Sequence, residues 1–209
     1  MEKKAKSLLI IEKLKTEYPN ASTVLEYGSI FELVLAVLLS AQSTDIQVNK
    51  VTKKLFRKYK TPDDFAAVDL EELEEMIKEV GLYRNKARNI KKLSIMLVEN
   101  FDRQVPEDFN SLMCLPGIGR KSANVILAVG FNKPGLGVDT HVHRVANRIG
   151  LVKEERPEKT EIRLKSLLPE EIWGVAHHVL IYHGRSVCKA RKPECDKCII
   201  EDLCKKIIL

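Results

Sequence analysis

The sequence predicts an all-α protein, and three observations carry that prediction. Apolar residues recur at helical spacing in segment after segment, and no segment alternates as a half-buried strand does. Proline, glycine and capping residues punctuate these segments at short intervals, so the joints between helices are short. Between two helical stretches stands Leu115-Pro-Gly-Ile-Gly-Arg-Lys-Ser-Ala-Asn124. Pro116 is barred from a helix interior, and Gly117 and Gly119 tolerate backbone angles that other residues resist. The expectation there is helix, tight hairpin, helix.

Taken in order, Ser7 to Tyr18 reads as an amphipathic helix closed by Pro19. Ile30 to Leu39 is apolar nearly all round, the pattern of a helix inside a core. Ser40-Ala-Gln-Ser-Thr-Asp45 breaks that run, and Ile46 to Tyr59 follows with a basic outer face of Lys50, Lys53, Lys54, Arg57 and Lys58. Asp69 is placed to cap the next helix, with Glu72 completing a capping box, and Gly81 ends it near Val80. Gly81-Leu-Tyr-Arg-Asn-Lys-Ala-Arg-Asn89 then echoes the hairpin and leads into a basic helix, Lys86 to Glu99. A second hairpin on a nucleic-acid face is one reading of that echo. Glu107 to Cys114 and Arg120 to Val129 flank the main hairpin. A connector from Asn132 to Gly137 precedes His141 to Ile149, which Gly150 stops. Pro157 opens a helix through Leu168, and Pro169 begins a last one to about Gly184.

At 209 residues the chain suffices for one large domain or two small lobes. A hydrophobic content of 44% with 31% charged residues describes a globular protein and excludes a disordered one. The net charge of +6 suits a polyanionic partner without requiring one. The longest apolar run is interrupted by Glu32 and is too short to span a bilayer. The charged start, Met-Glu-Lys-Lys-Ala-Lys-Ser, does not read as a signal peptide, so a cytoplasmic location is expected.

Cys114 stands alone and reads as a small core residue. Cys188, Cys195, Cys198 and Cys204 crowd the C-terminal end as C-x6-C-x2-C-x5-C, which in a reducing compartment points to a metal centre rather than disulfides. Spacing alone leaves zinc and an iron–sulfur cluster equally open. The intervening Lys189, Arg191 and Lys192 form a basic loop, either solvated or facing a phosphate backbone.

The hairpin leaves backbone N–H groups beside the positive start of the following helix, where a phosphate can be held. Gly-x-Gly alone favours an ordinary helix–helix turn; Arg120 and Lys121 directly after it shift the balance toward anion binding. Helix starts favour carboxylates, so Lys121 beside Arg120 breaks a local rule, and such violations mark functional sites. An unprotonated lysine amine is the nucleophile of Schiff-base chemistry. Asp139, taken alone, is a helix N-cap. Thr140 is able to take that duty, which leaves Asp139 to face a cleft. His141 is retained as a phosphate or base contact.

With these residues in place, the sequence resembles the endonuclease III family of DNA glycosylases over nearly its whole length. The resemblance rests on the hairpin decapeptide, Val138-Asp-Thr-His-Val-His-Arg144, the cysteine spacing, Leu38-Leu-Ser-Ala-Gln-Ser-Thr-Asp45 and Gly81-Leu-Tyr83. It implies two helical lobes: a six-helix lobe over 22–133 with the hairpin, and a second lobe joining 1–21 to 134–209. The second would enclose a [4Fe–4S] cluster, structural and DNA-related, on Cys188, Cys195, Cys198 and Cys204. A DNA-binding cleft between the lobes would hold Lys121 and Asp139 on opposite walls.

The resemblance also implies a monomeric base-excision repair enzyme of a prokaryotic cytoplasm acting on duplex DNA with damaged bases or abasic sites. Gly117, Gly119, Arg120 and His141 would contact that DNA. Gln42 would fill the space of a flipped nucleotide, and Leu82 would wedge beside the opposite base. Relatives that only remove mismatched bases lack the lysine, so Lys121 implies a bifunctional glycosylase and lyase for oxidised, ring-saturated pyrimidines. A monofunctional mismatch glycosylase and a non-catalytic DNA-binding hairpin protein are the alternatives.

Overall fold

A computed structural model describes residues 2–207. Among them there are eleven α-helices, three single 3-10 turns and no strands. The chain divides into two compact units: Val24–Lys133, and the residues up to Thr23 together with those from Pro134 onward.

The Val24–Lys133 unit is built around α2 (Ile30–Leu39), of which every residue except Ile30 and Glu32 is buried. Ser29 caps its start by accepting from the Glu32 N–H. Around it lie α3 (Asp45–Lys58), α4 (Pro62–Ala67), α5 (Leu70–Ile77), α6 (Tyr83–Asn100), α7 (Phe109–Cys114) and α8 (Arg120–Gly130). Their inner stripes, including Val48, Leu55, Phe65, Leu73, Ile90, Leu93 and Ile126, close one core with α2. Each such side chain removed from water contributes about 1.5–3 kcal/mol, so a helix apolar all round is the natural centre.

Two local expectations need correction, the capping box and Cys114. The capping box lies at Thr61 and Asp64, opening α4 with Pro62 in its first turn. Asp69 does cap α5, but Glu72 turns away to Lys58 and to the Tyr59 hydroxyl. The basic face of α3 keeps a cationic excess: Lys50 and Lys54 pair with Glu79 and Lys58 with Glu72, two carboxylates against five cations. Cys114 is exposed, because Leu112 and Leu115 occupy the inward positions of that turn.

The other unit begins with α1 (Lys3–Glu17) and resumes with α9 (Thr140–Ile149), α10 (Pro157–Leu167) and α11 (Trp173–Ser186). The last helix starts after a 3-10 turn over Glu170–Ile172 rather than directly at Pro169. Ile10, Ile11 and Leu14 of α1 share a core with Val142, Val145 and Ile149 of α9 and Val179 and Leu180 of α11. Lys13 reaches Asp202 at 3.0 Å, so the first helix and the last turn of the chain are tied together. Lys205 and Ile207 donate backbone N–H groups to Ile149 and Arg148, fastening the final segment to the end of α9. No helix among the described residues is long and apolar enough to cross a membrane.

Candidate active site and cluster pocket

In the Val24–Lys133 unit the hairpin joins α7 to α8. Asp108 caps α7 through the Ser111 N–H, and Leu115, Ile118 and Ala123 are buried on either side of the turn. Gly117 has φ +82°. A Cβ there would meet Leu38 Cδ1 at 2.9 Å and Asn89 Nδ2 at 3.0 Å, so glycine is required twice over. Gly119 differs from the expectation: its φ is −97°, an ordinary extended value, and a Cβ there would meet nothing within 4 Å. Its contribution is openness at the N-cap of α8, where no side chain caps the helix. The positive end of α8 is therefore left for an anion.

Arg120 lies with its guanidinium carbon 5.0 Å from the centre of the Phe109 ring. Buried Asn124 donates to the Arg120 carbonyl at 3.0 Å. Lys121, half-buried, stands in the first turn of α8 on this braced scaffold.

The same unit brings two further loops together. Gln42, between α2 and α3, has φ 53°, and Leu82, at the start of α6, has φ 57° and ψ 29°. A left-handed conformation costs a residue with a Cβ roughly 1–2 kcal/mol, so two in neighbouring loops are held there by tertiary contacts. Leu82 is 57% exposed, so its own side chain supplies no compensating burial. Gly81 abuts the first loop: a Cβ on it would lie 2.9 Å from the Gln42 carbonyl oxygen. The Gly81 N–H donates to Ser43 Oγ at 3.1 Å. Lys86 Nζ, buried on α6, donates to the Leu39 carbonyl at 2.8 Å and to Ser43 Oγ at 3.0 Å. Sequence reasoning missed Ser43 and Lys86. The available signal was register, since Lys86 falls on the stripe continued by Ile90, Leu93 and Leu97.

Asp139 and His141 belong to the other unit. Asp139, not Thr140, is the N-cap of α9, and Thr140 is its first helical residue. Both cap bonds, from His141 N at 2.8 Å and Val142 N at 2.9 Å, fall on Asp139 Oδ1, which fixes the carboxylate and leaves Oδ2 available. His141 Nδ1 lies 3.3 Å from Arg144. His143 Nδ1 is 2.8 Å from Thr160 Oγ1.

In this unit Cys188, Cys195, Cys198 and Cys204 line one pocket, together with Arg148, Ile149, His183, Val187, Pro193, Ile200 and Lys206. Arg148 Nη1 points at Cys188 Sγ from 3.6 Å, and the Lys206 backbone N–H lies 3.3 Å from Cys204 Sγ. Donors aimed at sulfur suit anionic thiolates. Arg148 and Arg144, one turn apart on α9, also bind the carbonyls of Lys189 and Cys188, which anchors the first cysteine's loop. His183 Nε2 lies 3.6 Å from Cys198 Sγ, and its Nδ1 lies 3.1 Å from the Tyr18 hydroxyl. Burial pushes the His183 imidazole down to about 4, so the ring is neutral near pH 7.

Four thiols around one pocket are a donor set that fits an iron–sulfur cluster. In the basic loop, Lys189 is engaged by Glu194, while Arg191 and Lys192 are exposed.

Among the described residues the fold is all-helical, and an open helix-hairpin-helix, a lysine in the first turn after it and a four-cysteine pocket define a helix-hairpin-helix protein with a cysteine-lined metal site. Residues 35–170 match the HhH-GPD superfamily of base excision DNA repair proteins, and residues 188–204 match the iron–sulfur binding domain of endonuclease III. The chain belongs to the endonuclease III family, bifunctional DNA glycosylase/AP lyases of base excision repair that carry a [4Fe–4S] cluster. It is 48% identical to endonuclease III of Bacillus subtilis over 94% of this chain and 90% of that protein. Identity to endonuclease III of Escherichia coli K12 is 46% over 97% of this chain and 96% of that one. A solved structure of a trapped endonuclease III–DNA covalent intermediate superposes with a TM-score of 0.93 at 46% identity, covering 99% of this chain and 97% of that one.

Proposed function

We propose that this chain excises oxidised pyrimidines from duplex DNA with Lys121 as nucleophile and Asp139 as its partner, then nicks the strand 3′ to the resulting abasic site. The observation that carries the assignment is the open, uncapped start of α8, which presents Lys121 in its first turn on a hairpin locked by Gly117. Phosphates are held by the hairpin N–H groups and Arg120, with His141 as a contact from α9, so binding weakens steeply with salt. The damaged nucleotide is flipped out of the stack, with Gln42 entering the vacated space and Leu82 wedging beside the opposite base. A ring-saturated pyrimidine stacks poorly, which lowers the cost of flipping and supplies part of the selectivity.

The unprotonated Lys121 amine attacks the sugar C1′, and the bond from C1′ to the base breaks. The base leaves with the electron pair and takes up a proton. Asp139, oriented by its cap bonds, stabilises positive charge on the sugar and assists the proton transfers. Ring opening yields an imine between Lys121 and C1′, which makes the C2′ proton acidic. Loss of that proton expels the 3′ phosphate by β-elimination.

Cys188, Cys195, Cys198 and Cys204 hold the [4Fe–4S] cluster, which when bound cross-links the C-terminal segment. The site of action is the cytoplasm of a prokaryotic cell, where the chromosome is accessible.

The test is borohydride trapping on a duplex with one thymine glycol. A covalent adduct is expected with the wild type and none with Lys121→Gln, which retains DNA binding. Trapping that persists in Lys121→Gln refutes the nucleophile. Base release without an adduct or a nick in the wild type favours the monofunctional alternative.

A further inference from the structure

The inward stripe of α6 contains one cation. Lys86 is only 4% exposed, on the face that continues as Ile90, Leu93 and Leu97. Its amine extends to the Leu39 carbonyl, one of the last-turn acceptors of α2, and to Ser43 Oγ in the turn that follows. The same Ser43 oxygen accepts the Gly81 N–H, immediately before Leu82. One buried lysine amine therefore joins the end of α2, the α2–α3 turn and the start of α6. Gln42 and Leu82, both left-handed, are the residues adjoining this junction, one before Ser43 and one after Gly81. Both are exposed, so burial of their own side chains does not hold them.

We propose that Lys86 is a positioning residue that locks Gln42 and Leu82 together in the left-handed conformations from which their side chains enter the DNA. The inference rests on the reading of those two residues as the inserted pair. A methionine at this position fills the same apolar channel but offers no hydrogen to Leu39 or Ser43. The two loops then relax independently toward ordinary backbone angles. The defect should appear only when a base pair has to be opened, because an unpaired lesion needs little wedging.

The experiment compares single-turnover base release by the cluster-loaded wild type, Lys86→Met and Ser43→Ala on two duplexes. In one, thymine glycol faces adenine; in the other it faces an abasic spacer. Lys86→Met should slow release about tenfold or more on the first and by no more than about threefold on the second. Ser43→Ala should show the same selective loss at smaller size, and it decides the matter if Lys86→Met does not fold. With 2-aminopurine opposite the lesion, the fluorescence rise on binding should shrink in both variants. Equal loss on both duplexes marks a merely structural role and overturns the proposal, as does no loss on either. Gln42→Ala and Leu82→Ala serve as controls. If neither slows release on the paired duplex, the inserted-pair reading fails, whereas adduct formation by Lys121 tests the catalytic reading separately.

Discussion

Gly117 and Gly119 look equivalent in sequence, yet the structure predicts different outcomes for the same methyl group. Gly117→Ala forces a side chain into φ +82°, at a cost of roughly 1–2 kcal/mol. Its Cβ also lies 2.9 Å from Leu38 Cδ1 and 3.0–3.1 Å from Asn89, and relieving such overpacking adds about 1–3 kcal/mol. The sum is roughly 2–5 kcal/mol, which for a chain of this size corresponds to about 4–20 °C in apparent melting temperature. Gly119→Ala meets nothing within 4 Å at φ −97°, and the gain through the unfolded chain is offset by placing Ala at an N-cap, so its effect on stability lies within about 1 kcal/mol. The same methyl sits at the start of α8, the proposed phosphate contact, so Gly119→Ala should weaken binding to duplex DNA. Thermal melts of both cluster-loaded variants, with fluorescence anisotropy on lesion-containing duplex, test the pair. A Gly117→Ala melt equal to wild type, or a Gly119→Ala loss as large as that of Gly117→Ala, refutes the reasoning.

Asp139→Asn should depress single-turnover base release with little change in melting temperature, since Asn caps a helix as well as Asp does; an unchanged rate removes Asp139 from the mechanism. Asp139→Ala adds a stability loss of about 1 kcal/mol, measured by denaturant titration. Leu82→Gly should stabilise the protein by up to about 1 kcal/mol by relieving a left-handed leucine, while slowing excision from paired duplex; a lower melting temperature contradicts this. Cys198→Ser should lose visible cluster absorption and loosen the segment after Cys188, read out by limited proteolysis; a fully loaded, protease-resistant variant excludes Cys198 as a ligand.

Much of this architecture is legible in the sequence where local chemistry decides. Ile30–Leu39 reveals itself because no polar face competes, and the hairpin because Pro116 and Gly117 each forbid a continuous helix. What escapes is set by contacts between segments. Helix α4, six residues long, shows no helical period and betrays itself only through Thr61, Pro62 and Asp64. The choice between Asp139 and Thr140 as cap turns on a single residue of register. Gln42 and Leu82 carry no local preference for positive φ; their conformation is imposed by Gly81, Ser43 and Lys86 from neighbouring elements. Lys121, the proposed nucleophile, is visible because it violates the charge rule at a helix start. The positioning lysine is less so, because its burial depends on which face of α6 turns inward.

The interrupted layout of the cluster unit has a consequence for biosynthesis. Helix α1 is synthesised before the rest of its unit, and its apolar residues Ile10, Ile11 and Leu14 pack against helices that come after Pro134. At roughly 5–20 residues per second, the interval before Cys204 is synthesised is on the order of 10–40 s. Val24–Lys133 has a self-contained core and is able to fold during that delay. The nascent chain therefore carries a folded Val24–Lys133 unit while the apolar stripe of α1 waits unshielded. Shielding by a chaperone, or rapid arrival of the C-terminal partners, determines whether α1 reaches its place before it finds another nascent chain.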